Sequence, residues 1–291
     1  MNRFLARLSW LLLALAHAAP APAADALGLL VSAQQAQATR SFEGVVVFMH
    51  DGRFDAVRVV HRPGGSGYEQ LATLSGMPRA LFRDAREVRI ESPGREQRLA
   101  PTGFAAPAFD AARVAASYRL DDVAEERIAG FSARIVDAVA RDAVRHSQRL
   151  WINPDNGLLM GFALVGPRRE TLQQVMFTSL VVDPRQDAAA PVVAAPAVID
   201  DLALAWPQGF RLVAVREQDG RRNLMLSDGL AMITLYLEQR ADAIDRLTTL
   251  RRGATQLASR QIGRRRVVVI GEVPLETAVD LANRTAQALN D

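Results

Sequence analysis

Three groups of side chains in this sequence have the types and spacing to invite a chemical reading. The first is Asn153-Pro154-Asp155-Asn156-Gly157, a polar knot between two apolar arms in the stretch RLWINPDNGLLMGF. A calcium loop of the EF-hand kind needs oxygen ligands at alternate positions, glycine sixth and glutamate twelfth. Counted from Asn153, the fifth position is Gly157 and the twelfth is Leu164, so the calcium reading fails. Proline presets one backbone angle and Asn-Gly accepts positive φ, so the knot is expected to be a turn. The second group is histidine. His17 lies in an N-terminal leader, and His50, His61 and His146 show no HExxH or other metal spacing. The third is the carboxylate run Asp121-Asp122 and Glu125-Glu126, which has the residue types of a glycosidase pair but the surroundings of a solvated polar edge. Ser66, in PGGSGYE, does not sit in GxSxG. The chain has neither cysteine nor lysine, which removes thiol nucleophiles, cysteine-bound zinc, Schiff bases and the P-loop lysine. No constellation points to an enzyme, a metal or an organic cofactor. The chemistry is that of a binding protein.

The elements that must position such a surface follow from periodicity. Arg3 and Arg7 precede an apolar run from Leu8 to Ala16, and Ala21-Pro22-Ala23 ends in small residues. This is a secretory signal peptide over residues 1–23, too short in its apolar core to span a membrane comfortably. No later segment approaches spanning length, and with no cysteine there is no lipobox thiol. An exported chain without disulfides suits the periplasm. All 35 basic residues are arginine, and removing Arg3 and Arg7 lowers the formal charge from +3 to +1. A near-neutral mature chain is not an electrostatic nucleic-acid binder.

Residues 26–39 carry Leu27, Leu30, Val31, Gln34 and Ala38 at helical spacing. Short strand patterns then follow at 42–49, 53–62, 68–74, 78–82 and 86–91, separated by Gly and Pro breakers. A short helix is expected at 109–118, and strands at 131–139, 148–152, 158–165 and 172–182. The class is therefore α+β: a large antiparallel sheet with packed helices, over residues 24–182. Residues 183–199, rich in alanine with three prolines, have linker composition. Beyond them, residues 200–291 form a small C-terminal α+β domain. Its strands are expected at 210–217, 222–227, 230–238, 255–261 and 266–270. Pro274 opens a last helix whose Leu275, Val279, Ala282, Ala286 and Leu289 follow helical spacing.

Several strands are apolar on both faces, Phe42 to Met49 and Leu158 to Val165 among them. Either helices cover the second face, or the sheet is curved and its concave face is an apolar ligand groove. In the second case one face of Leu158, Met160, Phe162 and Leu164 joins Val46, Phe48 and Phe177 along an acyl-chain groove. The pattern does not fix which face. The arginines of RRG and of Arg264-Arg265-Arg266 read as solvated turn ends, or else as grips for an acidic partner or a lipid phosphate.

RLWINPDNGLLMGFALVG with ETLQQVMFTSL resembles the strand-turn-strand region of the half-barrel lipoprotein-carrier fold of LolA and LppX, which RseB/MucB proteins share. TLSGMPRALFRDAREVRIESP is similar to the earlier hairpins of the RseB/MucB family. WPQGFRLV, LMLSDGLAMITLYLE and GATQLASRQIGRRRVVVIGEVP resemble that family's C-terminal module. The resemblance covers essentially the mature chain. It implies a periplasmic negative regulator of the sigma-E (AlgU-type) envelope-stress response. Such a protein binds the periplasmic part of a single-pass membrane anti-sigma factor of the RseA/MucA kind and shields it from regulated proteolysis. It also implies a lipid-like signal, lipopolysaccharide or lipoprotein acyl chains, bound by the large domain. On this basis Ser227, Asp228, Gly229, Leu230 and Tyr236 are candidate anti-sigma contacts. A lipoprotein or lipid carrier using the same groove is the alternative, and homo-oligomerisation is left open.

Overall fold

The structure, a computed structural model, describes residues 23–64, 67–84, 86–99, 110–186, 204–218 and 221–290. The expected signal peptide therefore lies almost wholly outside the described residues, as do residues 187–199 of the expected linker and the first four residues, 200–203, of the expected C-terminal domain. In chain order the first part contains helix α1 (Ala23–Thr39), then β1 (Arg40–His50), β2 (Arg53–Arg62), β3 (Tyr68–Thr73), β4 (Ala80–Asp84), β5 (Val88–Ser92) and β6 (Arg95–Leu99). Helix α2 (Ala111–Ser117) follows, then β7 (Tyr118–Ile128), β8 (Phe131–Ala140), β9 (Ser147–Ile152), β10 (Leu159–Val165) and β11 (Thr171–Gln186). The second part contains β12 (Arg211–Gln218), β13 (Arg221–Ser227), β14 (Met232–Gln239), β15 (Arg246–Arg252), β16 (Thr255–Ile262), β17 (Arg265–Gly271) and helix α3 (Leu275–Ala288).

Strands β1 to β11 form one open, curved sheet in the order β6-β5-β4-β3-β2-β1-β11-β10-β9-β8-β7. Two meanders are joined where the first strand pairs antiparallel with the last. The small domain repeats the idea with six strands, β12-β13-β14-β17-β16-β15, closed across β14 and β17. The α+β class with a large antiparallel sheet and a small second domain is what the structure has.

Helices α1 and α2 lie on one face of the large sheet. Ala26 and Leu30 of α1 and Val114 of α2 pack with Tyr118, Leu120, Val136, Ala138, Leu150 and Ile152. Asp110 starts α2 by accepting the Arg113 backbone N–H at 3.0 Å. The buried face of α1 differs from the expected one: Ala26, Leu30 and Ala36 are buried while Val31 is exposed. Small residues win there because the sheet approaches closely. A Cβ added to Gly157 would meet the Ser32 carbonyl at 2.6 Å and the Ala36 Cβ at 3.2 Å. Helix α3 is shifted similarly. It buries Ala278, Leu281, Ala282 and Ala286 against β16 and β17, and leaves Leu275 exposed.

The knot at 153–157 is a turn, as expected. The Asn153 side chain accepts the backbone N–H groups of Asp155 and Asn156, each at 3.0 Å, and donates to the Ser132 carbonyl at 2.9 Å. Asn156 accepts from the Leu158 N–H at 2.9 Å.

Three strands escaped the sequence expectations: β6, β7 and β15. Each is a sheet edge. The run Asp121 to Glu126 belongs to edge strand β7, where Glu125 and Glu126 are exposed as a solvated polar edge would be, and Asp122 is the exception. Asp122 is buried and paired with Arg134 across the ladder, and Glu126 accepts from the Trp151 indole at 2.9 Å. Strand β11 also runs four residues past its expected end at 182. Pro184 fits because the register shifts between the Phe42–Val182 and Arg40–Gln186 pairs, so no ladder N–H is needed there.

Gly157 carries a φ of +76° as well as the close approach to α1. Gly157→Ala is expected to destabilise the large domain by about 1–3 kcal/mol, through the strained backbone and the contact with Ser32. Urea denaturation of the mature protein measures this.

Candidate functional site

The apolar face begins with four of the seven residues proposed for a groove. In an antiparallel ladder, directly opposed residues share a face. Val46 opposes Phe177, Phe48 opposes Val175, and Val175 opposes Phe162. Phe162 in turn opposes Leu150, which packs under the helices. Val46, Phe48, Phe162 and Phe177 therefore lie together on the helix-bearing face, all half-buried. Phe177 also meets Phe42 edge-on, with ring centroids 5.9 Å apart. Gly44 makes this possible: a Cβ there would sit 2.2 Å from the Ser179 carbonyl and 3.0 Å from the Phe177 ring.

The other three residues are placed differently. Leu158 and Met160 are buried core residues, Met160 at the register shift between Leu159 and Gly161. Leu164 shares the face but is buried opposite Gln173, whose amide donates to Glu272 of the small domain at 3.0 Å. None of the three offers surface to a ligand in this conformation. The face continues where periodicity could not follow it, through Val59, Leu71, Leu81 and Ile90 on β2 to β5. Only the register reveals that these residues form one row.

The second set of candidates, Ser227-Asp228-Gly229-Leu230, is the turn between β13 and β14, and it is turned inward. Asp228 is fully buried. One carboxylate oxygen accepts the Leu230 and Ala231 backbone N–H groups at 2.9 and 2.7 Å. The other accepts the Tyr118 hydroxyl at 2.9 Å and the Arg145 guanidinium. Arg145 also donates to Asp142 at 2.9 Å and to the Gln208 carbonyl, and it stacks over Tyr118 and Phe210. Burial and the Asp228 charge push the Tyr118 phenol up, so it remains a donor. Burial works against the charge on Arg145, but the Asp142 hydrogen bond and the fields of Asp228 and Tyr118 outweigh it and raise its pKa.

Apolar contacts are exchanged in both directions across this junction. Leu230 packs on the cluster under α1 and α2, while Val144 packs on the core of the small domain. Gly229, with a φ of +103°, lies so close to α2 that a Cβ would meet Val114 at 2.7 Å. The residues expected to face a partner are instead spent on joining the two domains, because a desolvated carboxylate needs donors and the large domain supplies them. Tyr118, Asp142 and Arg145, which complete this junction, are not marked by any motif in the sequence. An arginine in the short polar loop Arg141-Asp142-Ala143-Val144-Arg145-His146 carried no signal without its distant aspartate.

Tyr236 is placed on the side of the small sheet away from α3, half-buried opposite Asn223 and Val268. Thr234, Ile270 and Leu257 extend that face. A cleft of about 440 Å³ opens between the domains, lined by His146, Glu170, Leu172, Thr249, Arg251 and Leu275 among others. Burial holds His146 below the usual histidine range, against the pull of the Val273 backbone, Glu170 and Glu276. Among the described residues no group of three His, Asp or Glu side chains could hold a metal ion, and no helix is long and apolar enough to cross a membrane. Ser66 lies outside the described residues.

Asp228→Ala is expected to cost about 3–5 kcal/mol of stability, because it leaves Arg145 buried without its counter-charge. Replacing both, as Arg145→Met with Asp228→Leu, is expected to recover much of that loss. Paired urea titrations compare the two.

Family models of the MucB/RseB N-terminal domain and the MucB/RseB C-terminal domain match residues 25–198 and 202–286. The sigma factor AlgU regulatory protein MucB of Pseudomonas aeruginosa is 30% identical over 298 residues, covering 94% of each chain. The sigma-E factor regulatory protein RseB of Haemophilus influenzae is 24% identical, over 84% of this chain and 85% of that one. Among solved structures, the Pseudomonas aeruginosa MucA/MucB complex superposes with a TM-score of 0.70 at 27% identity, covering 89% of this chain and 97% of the other. MucB in complex with MucA(peri) gives a TM-score of 0.66 at 25% identity, with the same coverage.

Proposed function

The chain belongs to the MucB/RseB family, and from that premise we propose that it is a periplasmic regulator of a sigma factor of the sigma-E class. It binds the periplasmic segment of a membrane anti-sigma factor and shields that segment from regulated proteolysis; a lipid-like signal releases it. The observation that carries this reading is the likeness, over both domains, to MucB as found in complex with MucA. Export by a signal peptide over residues 1–23 belongs to the same proposal, as does the division into a lipid-responsive domain (24–182), a linker (183–199) and a partner-binding domain (200–291). A simple lipid or lipoprotein carrier needs only the large sheet, so the interlocked small domain speaks against that alternative.

Within this reading the two candidate surfaces take separate roles. The half-buried row of Val46, Phe48, Phe162 and Phe177 is the acyl-chain surface. Tyr236 and its neighbours on the open face of the small sheet are the accessible part of the anti-sigma contact. Ser227, Asp228 and Leu230 act indirectly, by holding the two domains in the arrangement the partner recognises. A signal that prefers another arrangement then lowers affinity for the partner without competing for its surface.

The test is to titrate the mature protein with the periplasmic segment of an anti-sigma factor and to follow cleavage of that segment by a site-1-type protease. Protection that scales with binding is expected; a segment cleaved equally fast with and without the protein would overturn the proposal. Phe162→Asp is expected to weaken binding of acylated ligands by about tenfold or more, since burying even two methylenes is worth roughly 1.6 kcal/mol. Affinity for the anti-sigma segment should stay within about threefold of wild type, because Phe162 lies outside the small domain that holds Tyr236. Equal losses for both ligands, in a variant that stays folded by circular dichroism, would place the sensing surface elsewhere.

A further inference from the structure

Strand β15 is the outer strand of the small sheet, and all seven of its residues are exposed. Its sequence, Arg-Leu-Thr-Thr-Leu-Arg-Arg, includes Leu250 at 63% exposure. It pairs with β16 through the two-residue turn Gly253-Ala254, with Arg252 opposite Thr255. Gly253 at a φ of +60° suits the first central position of such a turn. In a two-residue hairpin the closing pair is hydrogen-bonded, and bonded and free positions alternate from there. The backbone N–H and C=O groups of Leu247, Thr249 and Arg251 therefore point away from β16, along an open edge.

We propose that this edge is a strand-addition site for an extended segment of the anti-sigma factor, acidic at both ends of one side of its pleat and apolar between. The proposal rests on the anti-sigma reading above and names the mode of contact. Charge selects the occupant. Arg246, Thr248, Leu250 and Arg252 share one side of β15, so an added strand meets a cation at each end and a leucine between. Arg251, on the other side, already lies 3.9 Å from Asp51 of the large domain. That side also borders Glu170 and Glu276 of the cleft, which disfavours acids there. A second copy of this chain fits poorly: symmetric antiparallel pairing centred on Thr249 would set Arg246 against Arg252, like charge on like. The edge is continuous with the apolar face that carries Tyr236, since Leu250 opposes Leu257 and Leu257 opposes Ile270. The β15–β16 turn is pinned to the large domain, with the Gly253 N–H donating to Asp51 at 2.8 Å. The edge is thus held rigid before any partner arrives.

Thr249 allows a clean test. Proline there removes an N–H that β16 does not use and puts a ring where a new strand would approach, which edge strands otherwise tolerate. The probes are a blocked synthetic peptide with the core Glu-Thr-Val-Thr-Val-Thr-Glu, its Lys-ended counterpart, and the MucA periplasmic segment. Full-length mature protein should bind the Glu-ended peptide over the Lys-ended one. Thr249→Pro should weaken that binding by about tenfold or more, while Thr249→Val leaves it unchanged. Equal affinity of the two variants, or no binding of the Glu-ended peptide to wild type, overturns the inference. The MucA segment separates the two claims. If it binds both variants equally, the anti-sigma reading stands and strand addition fails; if it binds neither variant nor the wild type, the anti-sigma reading fails, whatever the peptide does.

Discussion

The arrangement of the two domains depends on one buried ion pair, Arg145 with Asp228, both side chains wholly withdrawn from solvent. Desolvating two charges costs several kcal/mol per ion, which their attraction alone rarely returns with profit. What makes the pair tolerable is the number of further groups that converge on it. Asp228 is held by two backbone N–H groups and the Tyr118 hydroxyl, and Arg145 by Asp142 and the Gln208 carbonyl. The pair is therefore better understood as a device for uniqueness than as a source of stability. An apolar junction would tolerate sliding, whereas this one satisfies its charges in one geometry. Leu230 and Val144, each packed on the other domain's core, share that geometry, and the hydrogen bonds from Gln173 to Glu272 and from Gly253 to Asp51 join the domains at further points.

How much of the fold could be read from sequence depended on where each strand sits. Interior strands such as β2 and β13 carry the β-branched and apolar runs that periodicity detects. Three of the four sheet edges, β6, β7 and β15, do not. An edge strand is guarded by charge against unwanted pairing, and REQRL, DDVAEER and RLTTLRR show that guard instead of an alternating pattern. The feature that hides an edge strand from sequence analysis is thus the one that makes it an edge. Helix faces were misjudged for a different reason. Hydrophobicity favoured Val31 on α1 and Leu275 on α3, but the close approach of the sheet favoured alanines, and packing distance decided.

The candidate site shows the same division. Val46, Phe48 and Phe162 could be named from sequence because each is a large apolar residue in a strand with two apolar faces, and Phe177 because it is a large apolar residue in the strand expected at 172–182. Their meeting on one face depends on the register, on a shift between Val45 and Val46, and on Gly44 leaving room for Phe177. Leu158, Met160 and Leu164 looked equivalent and are core, because burial is a property of the third dimension. Asp228 entered the candidate site through the family resemblance of LMLSDGLAMITLYLE. Its true role needed Arg145, 83 residues earlier in the chain.

These placements constrain how a release signal can work under the proposed function. The acyl-chain row lies on the helix-bearing face of the large sheet, and Tyr236 lies on the small sheet, so a bound lipid does not cover the partner's surface. It must act by preferring one arrangement of the domains. Moving a two-state equilibrium from 1:99 to 99:1 takes a differential affinity of about 5.5 kcal/mol. At about 0.8 kcal/mol for each buried methylene, that is roughly seven methylenes buried in one arrangement and exposed in the other. One fatty acyl chain has that many, and a small amphiphile does not. The half-buried row on β1, β10 and β11 runs toward Leu164 and Gln173, where the large domain meets Glu272. A chain long enough to shift the equilibrium would therefore press on the junction itself, and a shorter one would bind the row and leave the domains joined.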